Sequence, residues 1–340
     1  MRRSAVILCV LLLVTFGLSS CAKTTAPKAG SAKATDMLNL LPSDSKGVVV
    51  VDFHRIMQTE AAVKAIADSK NKAKYDEFVQ TSGVDPQKDL FYLVGAALGD
   101  IGQKEMDGVA IVNLRYQKEK LLALLQKERG NMTTEEYSGY TIYTAASTDE
   151  KKPVSGVFLD ESNILFGTAP AVKKVIDVHQ KKADNIWKNE NVSTLLKGMN
   201  TAAMLWAGFA IPPDTMKQAS AQNPMLGAFS NIQAIILSFD YKDKNLLAEI
   251  KAMSPGADTN KQMADALNGF KALGAGAAAK EPLVGELLNK IEIGSAADHV
   301  KISAIIPEAL IESLSQKMKV SKPQEEQKQE QEEEQEQEQD

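Results

Sequence analysis

The sequence predicts an α+β fold: antiparallel sheets with helices layered on them. Three observations lead there. β-branched runs and helical apolar spacings both occur, yet they do not alternate as the βαβ units of a parallel sheet would. Several strands come in pairs joined by short polar turns, as hairpins do. The element order of residues 36–186 is loosely repeated over 187–320, which suggests two similar α/β halves.

Taken in order, Met37–Leu41 reads as a short apolar helix or turn. Gly47–Phe53 is a continuous β-branched run, hence a buried strand. Ile56, Val63, Ile66 and Ala67 have helical spacing, predicting a helix over 55–70 and a second over Tyr75–Thr81, stopped by Gly83. Leu90–Leu98 and Gly108–Leu114 are strands across a polar turn at 99–107. Gln117–Arg129 is a helix with Leu121, Leu122, Leu124 and Leu125 on its apolar side. Tyr137–Ala145, Ser155–Asp160 and Ile164–Gly167 are short strands, the last two joined through Asp160–Asn163. Pro170 opens a helix over Ala171–Gln180. In the second half, Val192–Met199 is a helix, Ala202–Ile211 a strand and Asp214–Ala221 a helix. A hairpin Ile232–Tyr241/Leu246–Ala252 follows, then helices Lys261–Ala279 and Leu283–Lys290, strand His299–Ile306 and a closing helix Pro307–Lys319.

The two ends have different chemistry. Arg2 and Arg3 precede the apolar run Ala5–Gly17, which at about thirteen residues is short of the ~20 a spanning helix needs. The run ends Leu18-Ser19-Ser20-Cys21. A Leu, two small residues and a Cys at this place resemble the bacterial lipobox, whose cysteine is acylated with diacylglycerol and becomes the mature first residue. The resemblance implies a signal peptide over 1–20, lipidation at Cys21 and a membrane partner. Ala22 rather than Asp after the cysteine fits an outer membrane, where there is one. Residues 21–35, rich in Lys, Thr, Ala, Gly and Pro, read as a flexible linker. Residues 321–340 are nearly all Gln and Glu and read as a disordered acidic tail. Residues 323–340 carry a net −8 against −5 for the whole chain, leaving a near-neutral body with no cationic footprint for nucleic acid. With Cys9 in the signal and Cys21 lipidated, no thiol remains for a disulfide, redox centre or thiolate metal site.

Candidate chemistry inside the body is sparse. Asp52 and His54 share a strand face and, with Arg55, are candidates for a general acid–base pair. The plainer reading has Asp52 satisfying the next backbone turn and His54 starting a surface helix. His179 ends a helix and His299 follows Asp298; the three histidines show no metal-ligand spacing. Asp85 and Asp89 make two ligands of a calcium loop or, more simply, belong to a Pro-containing turn. Gly274-Ala275-Gly276-Ala277-Ala278-Ala279 has the spacing of a dinucleotide fingerprint but follows a helix rather than a strand, so close helix packing explains it. No catalytic, cofactor or metal residue is assigned.

Leu40-Leu41-Pro42, the valine strand ending at Asp52, Gly83-Val84-Asp85-Pro86, and Phe158-Leu159-Asp160 with Ile164-Leu165-Phe166-Gly167 are similar to bacterial exported proteins grouped as domains of unknown function. The resemblance spans residues 37–318 and implies no activity. The expected function is therefore a membrane-anchored envelope lipoprotein, a non-catalytic binding or scaffold module with an envelope protein or small ligand as partner. A carrier of lipid or another apolar ligand, and an envelope hydrolase using Asp52, His54 or Asp85, are the alternatives.

Overall fold

Four consecutive valines set the centre of the molecule, but the chain reaches them through a helical turn, α1 (Ala34–Met37), and a 3-10 turn at Leu38–Leu40. The computed structural model describes residues 34–99, 107–130, 132–145, 153–278 and 281–317. The signal segment, Cys21, nearly all of the linker and the acidic tail lie outside them. Strand β1 (Gly47–Asp52) ends where the Asp52 carboxylate accepts the Arg55 amide at 2.9 Å and caps α2 (Phe53–Met57). The single helix expected over 55–70 is broken into α2 and α3 (Glu60–Ala67), and the next helix, α4 (Ser69–Ser82), starts earlier than Tyr75. Thr59 is the reason for the first break: its hydroxyl accepts the Ala62 amide at 3.2 Å and starts a new helix. Gly83, at a φ of 70°, turns the chain away from α4. Asp85 then caps the single turn α5 (Pro86–Asp89), leading into β2 (Leu90–Ala97) and β3 (Gly108–Leu114).

After α6 (Lys118–Arg129), the single strand expected over Tyr137–Ala145 proves to be a hairpin, β4 (Met132–Tyr137) and β5 (Tyr140–Ala145). Ser138 and Gly139 both take positive φ (52° and 83°), the backbone that a two-residue hairpin turn requires. Thr133 to Glu136 are exposed, so β4 carries no apolar alternation by which sequence could reveal it. Strands β6 (Val154–Phe158) and β7 (Asn163–Gly167) pair as expected, their turn held by Asp160, whose Oδ1 accepts the Ser162 and Asn163 amides at 2.8 Å each. The chain continues through α7 (Ala169–His179), α8 (Glu190–Lys197), β8 (Leu205–Ala210), α9 (Pro213–Gln222), β9 (Ala234–Lys242), β10 (Asn245–Met253), α10 (Ala257–Ala277), α11 (Pro282–Asn289), β11 (Ile291–Ser295), β12 (His299–Pro307) and a last helix, α12, over 308–317. The edge strand β11 and a 3-10 segment at Pro224–Phe229 are additions to the expected set.

The strands form one antiparallel sheet, not a sheet for each half, in the order β11-β12-β10-β9-β8-β1-β2-β3-β7-β6-β5-β4. β1 pairs with β8, Val50 opposite Trp206, so the halves meet in the middle. Running outward, β1-β2-β3-β7 and β8-β9-β10-β12 follow the same rule: three strands in turn, then the last strand of the half returns beside the third. The fold thus carries the loose repeat read from the element order, with β4 and β5 lying outside its shared part.

Strand alternation separates two faces. On one, Val48, Val50, Val94, Ile111, Leu165 and Trp206 pack with Val172, Val175 and Ile176 of α7 and with Leu195 and Leu196 of α8. On the other, Leu93, Val112, Leu114 and Ile164 pack with Phe53, Val84 and, less deeply buried, Phe78 and Leu121. A smaller core places Met263 and Ala264 of α10 against Ile235, Val300 and Ile293. Each fully buried Val or Ile contributes roughly 1.5–3 kcal/mol, and α7 alone buries Val172, Val175, Ile176 and most of Val178.

At the join of β3 and β7, a Cβ on Gly167 would lie 2.3 Å from the Gly108 carbonyl oxygen and 3.0 Å from Val109 Cα. Both neighbours are backbone and cannot move aside. Gly167→Ala is expected to destabilise the fold by about 2 kcal/mol or more, measurable as a lowered urea midpoint with an unchanged slope.

Candidate functional site

The repeat is incomplete in one place. In the first half, the helix that follows the last strand, α7, folds back over the sheet and buries its face. In the second half, α12 follows β12 in the same order, but its first residue, Glu308, accepts a hydrogen bond from Tyr241. Alternation along β9 puts Tyr241 on the face opposite Asp240. The face that α7 covers in the first half is therefore open in the second.

Cross-strand register builds that open face. Ser238 of β9 lies opposite Glu249 of β10, Glu249 opposite Ser303 of β12, and Ser303 opposite Glu292 of β11. One row nearer the strand ends, Asp240, Leu247 and Ile305 are likewise in register. With Asn200, Asn289 and Lys290 these residues line a groove of about 500 Å³. Ile305 is 58% exposed, a large aliphatic side chain left in water on a sheet face. Two carboxylates in the groove have cationic partners: Asp240 with Arg55 at 2.8 Å and Glu249 with Lys251 at 3.1 Å. Hydroxyls, amides, ion-paired carboxylates and two aliphatic side chains suit recognition of a polar surface by hydrogen bonding.

Arg55 forms the wall between this groove and a second cleft. Its guanidinium donates to the Ala202 carbonyl at 2.6 Å and to Asp240. Beyond it, His54, Arg55, Gln58, Thr59, Glu60, Met204 and Tyr241 line a cleft of about 360 Å³. A charge network lies behind the cleft: Lys64 meets Glu60 at 3.0 Å, Glu312 at 3.7 Å and Glu308 at 3.9 Å, while Lys244 meets Glu60 at 3.0 Å. The hydrogen bond from Lys244, then that from Lys64, holds the Glu60 carboxyl below the usual range. Glu308 is buried, and its Oε1 has no hydrogen-bond partner although the Lys64 ammonium is near. The hydrogen bond that Tyr241 donates to the Glu308 carboxylate pushes its phenol up to about 12, with loss of solvation and the negative charge of Glu308 acting in the same direction.

Of the residues singled out from sequence, Asp52, His54, Asp85 and Asp89 lie at one end of the sheet without forming one reacting set, whereas His299 starts β12 at the other end. Asp52 spends its carboxylate on the Arg55 amide, the local role expected of it. His54 is exposed, its ring 5.7 Å from that of Phe91. Asp85 is buried and holds three partners: the Tyr75 hydroxyl at 3.0 Å, the Gln87 amide at 3.1 Å and the Lys88 ammonium at 2.6 Å. Asp89 accepts the Asp85 amide at 2.9 Å, and burial raises its carboxyl above the usual range. The pair is thus a capping arrangement for a turn containing Pro86. His179 stands edge-on to Tyr140, and His299 bonds Asp298 at 2.7 Å, holding that carboxyl below the usual range. Among the described residues no group of three His, Cys, Asp or Glu is placed to hold a metal ion. Gly274, within α10, would meet Leu288 of α11 at 3.6 Å if it had a Cβ, which fits close helix packing; Ala279 lies outside the described residues.

A family model described as protein of unknown function (DUF3352) matches residues 108–331. The chain belongs to the DUF3352 family. The matched range runs from the start of β3 through the groove and α12. It takes in Phe158–Gly167 among the segments that carry the resemblance, whereas Leu40-Leu41-Pro42, Asp52 and Gly83–Pro86 precede it. No curated protein matches. Among solved structures, crystal form III of TP0453 is 11% identical, with 84% of this chain and 98% of that chain covered and a TM-score of 0.44. Crystal forms I and IV of the same protein are each 10% identical, cover 84% and 82% of this chain and 97% and 96% of theirs, and have TM-scores of 0.41 and 0.40. No functional conclusion follows from these likenesses.

Two outcomes follow from the side-chain geometry. Asp85→Ala removes a helix cap and the buried hydrogen bond from the Tyr75 hydroxyl, and is expected to cost about 2–4 kcal/mol, whereas His54→Ala should change stability by no more than about 0.5 kcal/mol; chemical denaturation of both variants checks this. The Tyr241 phenol is raised from 10.0 to about 12 in the folded chain. Its contribution to stability is fully present below pH 10 and is lost as pH rises through about 12. In an ultraviolet titration, Glu308→Gln should bring one tyrosine midpoint back towards 10.

Proposed function

We propose that this chain is a membrane-anchored envelope lipoprotein whose body is a non-catalytic binding or scaffold module. The anchor is read at Cys21, which follows Leu18-Ser19-Ser20 behind a short apolar run. Two or three acyl chains on one cysteine bury many methylenes at ~0.8 kcal/mol each and hold a protein durably at a bilayer. The binding role rests on one observation, the groove over β9, β10, β12 and β11, open where the corresponding face of the first half is closed by α7. A fold that needed only stability would gain by covering Ile305 and Leu247; leaving them beside hydroxyls and amides fits contact with an envelope partner. The hydrolase alternative loses support because Asp52 and Asp85 are each engaged in local capping bonds and neither bonds His54.

One observation favours the carrier alternative. On the opposite face of the second half, Leu237, Phe239, Leu246 and Ile302 are only half-buried, unlike Leu93, Val112 and Ile164 in the first. Lipid co-purifying in stoichiometric amount, seen by native mass spectrometry, would replace the binding module with a carrier.

Two measurements test the main reading. Mass spectrometry of the mature N-terminal peptide should find Cys21 diacylated, and Cys21→Ala should release the protein from membranes. A photo-crosslinker placed at Ser303 in intact cells should capture a discrete envelope component, with capture lost in Ile305→Arg. An unmodified thiol at Cys21 would overturn the anchor, and crosslinking indistinguishable from that at an exposed position such as Glu77 would overturn the binding surface.

A further inference from the structure

We infer that the surface around Trp187 is the face this domain lays against the anionic headgroups of the membrane that holds it. The inference rests on the lipid-anchor reading and adds an orientation to it. The chain has two tryptophans. Trp206 is 1% exposed in the central core, whereas Trp187 is 45% exposed. It stands on a 3-10 turn, Ile186–Lys188, whose Ile186 is fully buried, so the ring is presented to solvent from a fixed base. Its indole N–H donates to Asn39 Oδ1 at 2.8 Å, which sets the ring's direction. A large aromatic body with a polar edge is the side chain best suited to the boundary between acyl chains and headgroups.

Position supports this use. Segment 184–189 is bonded along the first part of the described chain: Ser43 N to Asp184 O at 3.2 Å, Ile186 N to Leu41 O at 2.8 Å, and Asn189 Nδ2 to the Ser43 and Ser45 carbonyls at 2.8 and 3.0 Å. Trp187 therefore sits beside the stretch that begins at Ala34. Residues 22–33 are all that separate Ala34 from Cys21, which can therefore lie at most about 45 Å apart at ~3.5 Å per residue. Leu273 and Met225, also exposed, have no such backbone bonds to the stretch that begins at Ala34 among the described residues.

Charge agrees. Lys181, Lys182 and Lys188 outnumber Asp184 and Glu190 to give 181–190 a net charge of +1, and Lys181 and Lys188 are exposed with no ion pair among the described residues. Lys181 takes a φ of 59° just past the end of α7, which turns the chain out of the helix there. Cations beside an exposed indole complement an anionic bilayer, each adding an attraction that salt screens.

The test uses the full lipidated chain in mixed phosphatidylcholine–phosphatidylglycerol vesicles. Trp187 emission should shift to shorter wavelength and be quenched by lipid brominated near the headgroup end of its acyl chains. In Trp187→Phe the quenchable emission should vanish, while Trp206 emission, unchanged, reports an intact fold. Lys181→Glu with Lys188→Glu should reduce quenching about twofold or more, and high salt should act in the same direction on the parent chain. Protein that floats with the vesicles but shows unquenched Trp187 overturns the orientation and leaves the anchor standing. Protein that carries no lipid and does not float overturns the anchor, and the orientation with it.

Discussion

The pairing of β1 with β8 is the constraint on which the rest depends. Each is the first strand of its half, and their ladder from Gly47↔Phe209 to Val51↔Leu205 turns two modest sheets into one of twelve strands. Without it, both strands would present unpaired amides and apolar side chains on two faces, a cost no surface position could offset. Val50 and Trp206, opposite one another, show the depth of the join: both are about 1% exposed. The antiparallel sense relates the halves by an approximate two-fold axis normal to the sheet, so the same faces of both halves look the same way.

That shared orientation gives the open groove its meaning. A two-fold of this kind would place a copy of α7 over β10, β12 and β11. Instead the chain after Pro307 turns to the other side, where Glu308 meets Tyr241 and lies near Lys64. Where this face is uncovered, Ser238, Glu249, Ser303 and Glu292 form a polar row across four strands, while Ala234 and Ile236 nearer the other end of β9 are buried in the main core. Arg55, reaching from the first half to Asp240 in the second, ties the groove's wall across the central pair. The ion pair is half in water, worth no more than about 1 kcal/mol, so it positions the wall more than it stabilises the fold.

Anchor, orientation and groove make one physical picture. Acyl chains at Cys21 would hold the domain close to a bilayer, the Trp187 surface would set which side faces the lipid, and the groove in the second half would be left for a polar partner. Acid–base chemistry needs groups whose charged or neutral state is free to change during reaction. Here Oδ1 of Asp52 accepts the Arg55 amide, and the two oxygens of Asp85 accept from Tyr75, Gln87 and Lys88, so both acids serve local caps.

Much of this was readable in the residues themselves. The valine strand, the Asp160 turn, the Pro-initiated α7 and the hairpin around Asp243 and Lys244 were legible because each is decided within a few residues, by β-branching, side-chain caps or positive φ. So were the local roles of Asp52 and Asp85. Strand β4, whose Thr and Glu residues face water, and the short edge strand β11 left little hydrophobic pattern to follow. The break at Thr59 was a capping signal overridden by the apolar spacing around it. The groove was half visible, since Ser238 and Asp240 alternate with Phe239 and Tyr241 along one strand. Its other walls come from residues far apart in the chain; Arg55 and Asp240 are 185 positions apart. The sequence by itself determined the α+β class, most elements and their local caps, since those depend on neighbours along the chain. The single sheet, the uncovered face and the placing of Trp187 beside residues 39–45 were decided only by tertiary structure, because register between distant strands is set by which faces can be buried together.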